Sequence, residues 1–174
     1  MSGYKVLIDT PELDARVRSL GAELVERFQT IEEPILVIGV LRGSVLFMAD
    51  LVRAMDRPLE TEYVRASSYG DARVSSGKVT LSDDRPDVRG RHVLLVEDIV
   101  DTGLTLAALT KALRGAGLAS LTTVSLLDKP SRREVDVEAD LVAFTIEDAY
   151  VIGYGLDDAG LFRNLPFVAV VDGD

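Results

Sequence analysis

The spacing of hydrophobic residues changes along the chain from a helical period to short continuous runs. Apolar residues recur every three or four positions over 13–28, as on the buried face of an α-helix. Thr10 and Pro11 predict the start of this helix, with Thr10 as its N-cap residue. The run 35–40, Ile-Leu-Val-Ile-Gly-Val, is apolar throughout and predicts a strand that is buried on both faces. A second helical period follows over 45–55.

The remainder of the chain continues this alternation. A helix is predicted over 105–114, ending near Gly115 and Gly117. Further strands are predicted at 59–66, 78–82, 92–96, 121–127, 141–146, 151–154 and 167–171. Helices that alternate with buried strands indicate an α/β domain with a largely parallel sheet, and the 174 residues fit a single domain, 1–174. We expect the β segments within 59–82 and 141–171 to be small additions beside that sheet.

Composition and charge narrow the classes of function. No apolar run approaches the roughly 20 residues that a transmembrane helix needs, and no basic region with an apolar signal core begins the chain. We therefore expect a cytoplasmic protein that does not associate with membranes. The absence of cysteine excludes disulfides and thiolate chemistry. The net charge of −10 disfavours nucleic-acid partners, because an acidic surface repels phosphate backbones.

The segment 93–106, Val-Leu-Leu-Val-Glu-Asp-Ile-Val-Asp-Thr-Gly-Leu-Thr-Leu, is the most informative part of the sequence. A strand, a short turn and the start of a helix follow one another within it. Gly103 has no Cβ, so the backbone can approach an anion closely there. Successive N–H groups from Asp101 to Thr105 can point at phosphate oxygens at the helix N-terminus, and Thr102 and Thr105 add hydroxyl donors. The pattern predicts a phosphate cradle.

Three carboxylates accompany the cradle. Glu97 and Asp98 stand at the carboxyl end of the strand, where parallel sheets bind ligands. They repel phosphate but suit ribose hydroxyls or Mg²⁺, which prefers oxygen ligands. Asp101 lies at the lip of the cradle and could accept a proton. An isolated Asp-Thr-Gly would indicate only a helix cap, whereas the whole pattern favours a phosphate-binding site. The chain contains neither a P-loop nor a dinucleotide-binding fingerprint, so these two classes of nucleotide-binding protein are not indicated.

The segment resembles the phosphoribosyl-diphosphate signature of type I phosphoribosyltransferases, and 97–103 resembles the hypoxanthine (hypoxanthine-guanine) version. The resemblance covers nearly the whole chain. It implies a mainly parallel central sheet flanked by helices, with a small hood and a flexible loop. It also implies a Mg²⁺-dependent purine-salvage enzyme that joins a 6-oxopurine, hypoxanthine or guanine, to phosphoribosyl diphosphate.

The resemblance further implies roles for individual residues. Glu97 and Asp98 would hold the ribose hydroxyls, and with Asp157 they would bind metal. Asp101 would be the general base near purine N7. Five residues would grip the 5′-phosphate: Asp101, Thr102, Gly103, Leu104 and Thr105. Four would bind diphosphate: Leu41, Arg42, Gly43 and Arg163. The peptide between Leu41 and Arg42 is often cis in this family.

The base and the lid complete the implied site. Lys129 would donate to the purine 6-oxo group and so disfavour adenine, since a protonated amine cannot accept from an amino group. Tyr150, which is Phe in many relatives, would stack on the base, and Val151 would offer backbone groups to the ring edge. Asp157 belongs to the same purine and metal segment. Ser68 and Tyr69 would lie in a lid that excludes water.

Several alternatives stay open at the level of sequence. Some members of the family bind phosphoribosyl diphosphate but regulate by acting on RNA or DNA. The preferred base could be hypoxanthine, guanine or xanthine. The family usually forms dimers or tetramers, so we expect a homodimer or homotetramer. His92, the only histidine, has no evident partner and predicts a structural role.

Overall fold

Two sheets and three main helices organise the computed structural model, which describes residues 3–68, 79–81 and 86–171. The helices are α1 (Thr10–Arg27), α2 (Val45–Ala54) and α3 (Leu104–Gly115), with a short 3-10 turn at Pro130–Arg132. The strands are β1 (Tyr4–Ile8), β2 (Ile35–Leu41), β3 (Leu59–Ser68), β4 (Val79–Leu81), β5 (His92–Val100), β6 (Ser120–Asp128), β7 (Leu141–Thr145), β8 (Val151–Ile152) and β9 (Val168–Val171). None of the helices in these ranges is long and apolar enough to cross a membrane.

The larger sheet is mainly parallel, as the sequence predicts. Its strand order is β4-β3-β2-β5-β6-β7, and every pairing except that of β3 with β4 is parallel. Both faces are covered. Ile35 and Val37 of β2 belong to the core cluster that includes α1 and α2, whereas Leu36 and Ile38 belong to the cluster that includes α3. This alternation explains why the strand is apolar throughout.

The prediction that 59–82 and 141–171 form additions beside the sheet is partly wrong. β3 pairs with β2 from Leu59 to Arg65, and β7 pairs with β6, so both belong to the larger sheet. Polar residues are frequent in β3 because five of the eight side chains described for 59–66 are exposed. Only β8 and β9 join a smaller antiparallel sheet, with β1 as their third strand. The sequence pattern missed β1 because four of its five residues are exposed.

The first helix begins one residue earlier than predicted. Asp9 is the N-cap residue, and its carboxylate accepts a hydrogen bond from the N–H of Glu12 at 2.9 Å. Thr10 is therefore already helical, and its hydroxyl donates to the carbonyl oxygen of Pro166 at 2.7 Å. This bond ties the start of α1 to the connection that precedes β9.

Candidate active site

A cavity of about 270 Å³ opens at the carboxyl end of β5, and ten consecutive residues, Glu97 to Leu106, line it. β5 lies between β2 and β6 near the middle of the sheet. The strand continues to Val100, beyond the predicted end at Val96, so the acidic pair still belongs to it. The predicted cradle is thus a concave surface where parallel sheets bind ligands.

The turn into α3 needs a glycine at position 103. Gly103 has a φ of +84° and is the N-cap residue of α3. A Cβ there would lie 2.7 Å from Val137 Cγ1 and 2.8 Å from Arg133 Cδ, so a side chain would collide with the segment beneath the turn. Gly103 has no side chain that could cap this helix end, and Thr102 Oγ1 accepts only a long hydrogen bond, at 3.4 Å, from the N–H of Leu104. The first turn therefore offers N–H groups to an anion in the cavity.

The sequence analysis missed Arg133, which binds the backbone at the start of the cradle. Its Nη1 donates to the carbonyl oxygens of Val100, at 3.1 Å, and Asp101, at 2.5 Å. Its Nη2 forms an ion pair with Asp128, a residue to which the sequence assigned no role. Both side chains are mostly buried, so the pair is shielded from solvent. Arg133 therefore fixes the backbone from which the cradle begins.

Glu97 and Asp98 form an acidic pair at the end of β5. Glu97 is only 6% exposed, and its Oε2 has no hydrogen-bond partner in the described residues. Burial raises the pKa of Glu97 well above its ordinary value, and the neighbouring Asp98 carboxylate adds to the rise. Burial likewise raises the pKa of Asp98 to about 6, although the N–H of Ile99 donates to it at 2.9 Å and Arg163 opposes the rise. The pair is poised to bind a cation or hydroxyl groups.

The diphosphate loop, residues 41–44 with the predicted diphosphate-binding Leu41, Arg42 and Gly43, packs against this acidic pair. The peptide between Leu41 and Arg42, at the end of β2, is cis, and Arg42 is exposed. A Cβ on Gly43 would lie 1.5 Å from Asp98 Oδ2, so only glycine allows this approach. A Cβ on Gly155 would in turn lie 2.0 Å from the carbonyl oxygen of Gly43. The loop after β2, the end of β5 and the chain at Gly155 therefore meet at one place, although they are distant in sequence.

Asp157 and Arg163 belong to the same group of residues. Arg163 Nη2 lies 2.5 Å from Asp157 Oδ1, and the N–H of Gly160 donates to Asp157 Oδ2 at 2.8 Å. The charges of both side chains act on the Asp98 carboxyl: Arg163 lowers the pKa of Asp98, and Asp157 raises it. Among the described residues, no three acidic or histidine side chains form a ready-made metal centre.

A chain of alternating charges links Lys129, which is predicted to bind the 6-oxo group, to Asp101, the predicted general base. Lys129 is only 7% exposed, and its Nζ lies 3.8 Å from Asp148 Oδ1. Arg132 Nε lies 3.8 Å from the same oxygen and 3.3 Å from Asp101 Oδ1. The sequence analysis missed Arg132 and Asp148. The dipeptide Arg132-Arg133 after the strand that ends at Asp128 was the only available signal, and basic dipeptides are common on surfaces.

Two other predicted base residues lie beside or on the smaller sheet, since Val151 begins β8 and Tyr150 directly precedes it. Tyr150 is 57% exposed, and its hydroxyl donates to Asp158 Oδ1 at 3.2 Å. Val151 is buried and pairs with Val170 of β9. The Tyr150 side chain is therefore partly exposed, whereas the Val151 side chain is buried.

Two further predictions concern residues outside this cavity. His92 lies at the amino end of β5, away from the acidic pair, and its Nδ1 is 2.7 Å from Ser120 Oγ, so it does have a partner. Of the predicted lid, Ser68 is the last residue of β3 and pairs with Val79 rather than lying in a loop. Tyr69 lies outside the described residues.

The fold and this site define a phosphoribosyltransferase. The family model described as the phosphoribosyl transferase domain matches residues 3–159, and the chain belongs to this family. It is 46% identical over 168 residues to the hypoxanthine-guanine phosphoribosyltransferase of Bacillus subtilis, with 96% of this chain and 92% of that protein covered. It is 44% identical to the hypoxanthine phosphoribosyltransferase of Haemophilus influenzae, with 95% and 94% covered.

Solved structures agree with these sequence relatives. The hypoxanthine phosphoribosyltransferase of Staphylococcus aureus matches with a TM-score of 0.90 at 37% identity, over 97% of this chain and 91% of that one. The hypoxanthine-guanine phosphoribosyltransferase of Bacillus anthracis also matches with a TM-score of 0.90, at 39% identity, over 99% and 100%. The predicted resemblance and the type I phosphoribosyltransferase fold are confirmed.

Proposed function

We propose that the protein is a purine-salvage enzyme that transfers the 5-phosphoribosyl group from phosphoribosyl diphosphate to hypoxanthine, guanine or both, with release of diphosphate. The observation that carries this proposal is that the cradle 97–106 lines one cavity and that Gly43 and Arg163 both approach Asp98 at its edge. The nucleotide products would be IMP and GMP.

The cradle would hold the 5′-phosphate. The first turn of α3 supplies backbone N–H groups, and its helix dipole favours an anion. Thr102 and Thr105 line the same cavity and would add hydroxyl donors. Arg133 keeps Val100 and Asp101 in place beneath the phosphate. Local positive potential of this kind lets a chain of net charge −10 bind a polyanion.

The acidic pair would hold the ribose hydroxyls and Mg²⁺. The buried Glu97 Oε2 without a partner is the observation that favours this role, because a buried oxygen of this kind normally finds a ligand. Mg²⁺ typically takes one or two carboxylates and completes its shell with water and substrate phosphates. Glu97 and Asp98 would provide the protein ligands, with Asp157 as the third carboxylate at the site. When bound, the ion would neutralise charge on the diphosphate leaving group.

Asp101 and Lys129 would act on the base. In the reaction a purine ring nitrogen forms a bond to ribose C1′ while the bond from C1′ to the diphosphate oxygen breaks. Positive charge that develops at the sugar would be stabilised by Glu97, Asp98 and Asp101. Asp101 would accept the proton that the base loses, and Lys129 would donate a hydrogen bond to the 6-oxo oxygen.

A direct assay tests this function. The purified protein is incubated with phosphoribosyl diphosphate, Mg²⁺ and each of hypoxanthine, guanine, xanthine and adenine, and nucleotide formation is followed together with diphosphate release. We expect product from hypoxanthine or guanine, loss of product when the metal is chelated, and little product from adenine. Tight binding of phosphoribosyl diphosphate without product from any base would contradict the proposal and indicate a regulatory binding protein.

Replacing Lys129 by glutamine is expected to raise KM for hypoxanthine by about tenfold, because a buried charge-assisted hydrogen bond to the base would be weakened. KM for phosphoribosyl diphosphate should stay within about twofold of the wild-type value, since Lys129 lies outside the cradle. Lys111→Gln removes an exposed lysine on α3 and is the control for loss of charge. An unchanged KM for the base would remove Lys129 from the purine site.

We further propose that the protein acts in the cytoplasm as a homodimer or homotetramer. Large apolar side chains are exposed on β1, α2 and β3, including Val6, Leu46 and Tyr63, and burial between copies would remove them from water. Light scattering coupled to gel filtration would give two or four times the chain mass. A monomer mass at micromolar concentration would contradict the proposed assembly.

A further inference from the structure

Tyr154 occupies an unusual position beside the proposed active site. Its φ is +48°, a conformation that residues other than glycine rarely adopt, and it lies between Gly153 and Gly155, whose φ values are also positive. The side chain is nevertheless 7% exposed and belongs to the main hydrophobic core. A bulky residue that keeps such a conformation must be held by its surroundings.

The hydroxyl of Tyr154 reaches across to α2. It donates to Asp50 Oδ2 at 2.7 Å, a contact between residues 104 positions apart in sequence. Burial raises the pKa of the Tyr154 hydroxyl, and the Asp50 carboxylate raises it further, so the hydroxyl keeps its proton and remains a donor. Asp50 also faces Arg53 at 3.3 Å, but that pair lies on the surface.

Each end of this bond belongs to an element that contributes to the site. Asp50 lies on α2, which begins directly after the diphosphate loop 41–44. Tyr154 precedes Gly155, which abuts the carbonyl oxygen of Gly43 in the same loop. Arg163 donates to the carbonyl oxygen of Gly155 and pairs with Asp157. The turn 153–157 therefore contacts the diphosphate loop directly and is fastened to the helix behind it.

We propose that the hydrogen bond from Tyr154 to Asp50 holds the turn 153–157 against the diphosphate loop, and so makes both residues positioning residues for diphosphate recognition. Neither side chain needs to touch the substrate. The bond fixes where Gly155, Asp157 and Arg163 stand relative to Gly43 and Asp98. This inference rests on the proposed function, because it assigns the diphosphate to the gap between these segments.

Tyr154→Phe isolates the hydroxyl, because phenylalanine preserves the buried ring. We expect KM for phosphoribosyl diphosphate to rise about tenfold, because a turn that has lost its tie to α2 must be reordered before Asp157 and Arg163 can meet the diphosphate. KM for hypoxanthine should stay within about twofold, because Lys129 and Tyr150, which are predicted to bind the 6-oxo group and stack on the base, lie outside the turn 153–157. If the Tyr154 hydroxyl had only a structural role, Tyr154→Phe would lower thermal stability but would not raise KM for phosphoribosyl diphosphate more than KM for hypoxanthine.

Substitutions at Asp50 provide the matched variants. Asp50→Asn keeps an oxygen acceptor and should behave almost as the wild type. Asp50→Ala should reproduce the effect of Tyr154→Phe, and the double variant should show no further loss, because both changes remove one bond. Arg53→Ala removes the surface partner of Asp50 but leaves the bond to Tyr154, so its KM values should match the wild type.

Amide hydrogen exchange tests the inference independently of catalysis. The N–H groups of Gly155 and Leu156 are bonded to the carbonyl oxygens of Arg163 and Gly153. In the free protein they should exchange several-fold faster in Tyr154→Phe than in the wild type, and at the wild-type rate in Arg53→Ala. Unchanged exchange together with an unchanged KM for phosphoribosyl diphosphate would overturn the inference. Absent turnover in the wild type would refute the proposed function instead, and the exchange rates would still decide the role of Tyr154.

Discussion

Replacing Asp101 by asparagine is expected to lower kcat by about two to four orders of magnitude while the protein folds normally, because asparagine cannot accept the proton that the base loses. The substitution is nearly isosteric, and the amide oxygen can still accept from Arg132 Nε, which lies 3.3 Å from the carboxylate. The Asp101 side chain is 41% exposed, so little stability depends on it. Initial rates with saturating substrates would measure the loss.

The control for this variant is Asp136→Asn, which removes one exposed carboxylate from the segment beneath the cradle. It should turn over at the wild-type rate. Affinity for phosphoribosyl diphosphate should be retained in Asp101→Asn, because the backbone groups of the cradle remain. If Asp101→Asn turned over at the wild-type rate, Asp101 would have no part in proton transfer.

Replacing Asp98 by asparagine is expected to make the protein more stable at pH 7.5 and much less active. Burial raises the pKa of Asp98 to about 6 from an ordinary value of 3.8. Between these two values the folded state binds more protons than the unfolded state, so stability falls as pH rises through that window. Above it the ionised carboxylate destabilises the fold. Asparagine removes this cost and can still accept the N–H of Ile99.

Urea unfolding at two pH values would measure the effect of Asp98→Asn. At pH 7.5 we expect the free energy of unfolding to rise by about 1–2 kcal/mol, since each unit of pKa shift corresponds to about 1.4 kcal/mol and Asp98 is only partly buried. At pH 4 the gain should largely disappear, because the wild-type carboxyl is then mostly protonated. Asp136→Asn should change stability little at either pH. A loss of stability at pH 7.5, or a gain independent of pH, would contradict the raised pKa.

The sequence predicted those parts of the site that are local in the chain. A strand, two carboxylates, a glycine turn and a helix follow one another over 93–106, so period and residue chemistry were enough to place the cradle. The diphosphate loop after β2 was assigned by resemblance to the family, because a turn with a single arginine is not specific by itself. The two segments meet at the carboxyl edge of the sheet, where the parallel topology brings strand ends together.

Contacts between distant segments could not be predicted in this way. Arg133 acts on Val100 and Asp101 from a stretch without regular hydrophobic spacing, and its role depends on how 130–137 folds under the cradle. The approach of Gly155 to Gly43 likewise appears only in three dimensions. β1 lacks a strand pattern because a small sheet buries little of it. The N-cap is Asp9 rather than Thr10 because a carboxylate caps a helix as well as a hydroxyl does.

The crystal structure of the protein with bound IMP would test the central claim most directly, because it locates each part of the nucleotide. We predict that the 5′-phosphate lies about 3 Å from backbone N–H groups of Thr102 to Thr105, with the ribose hydroxyls on Glu97 and Asp98. The 6-oxo oxygen should lie at the same kind of distance from Lys129 Nζ. A phosphate bound elsewhere, with the cradle left to solvent, would contradict the account.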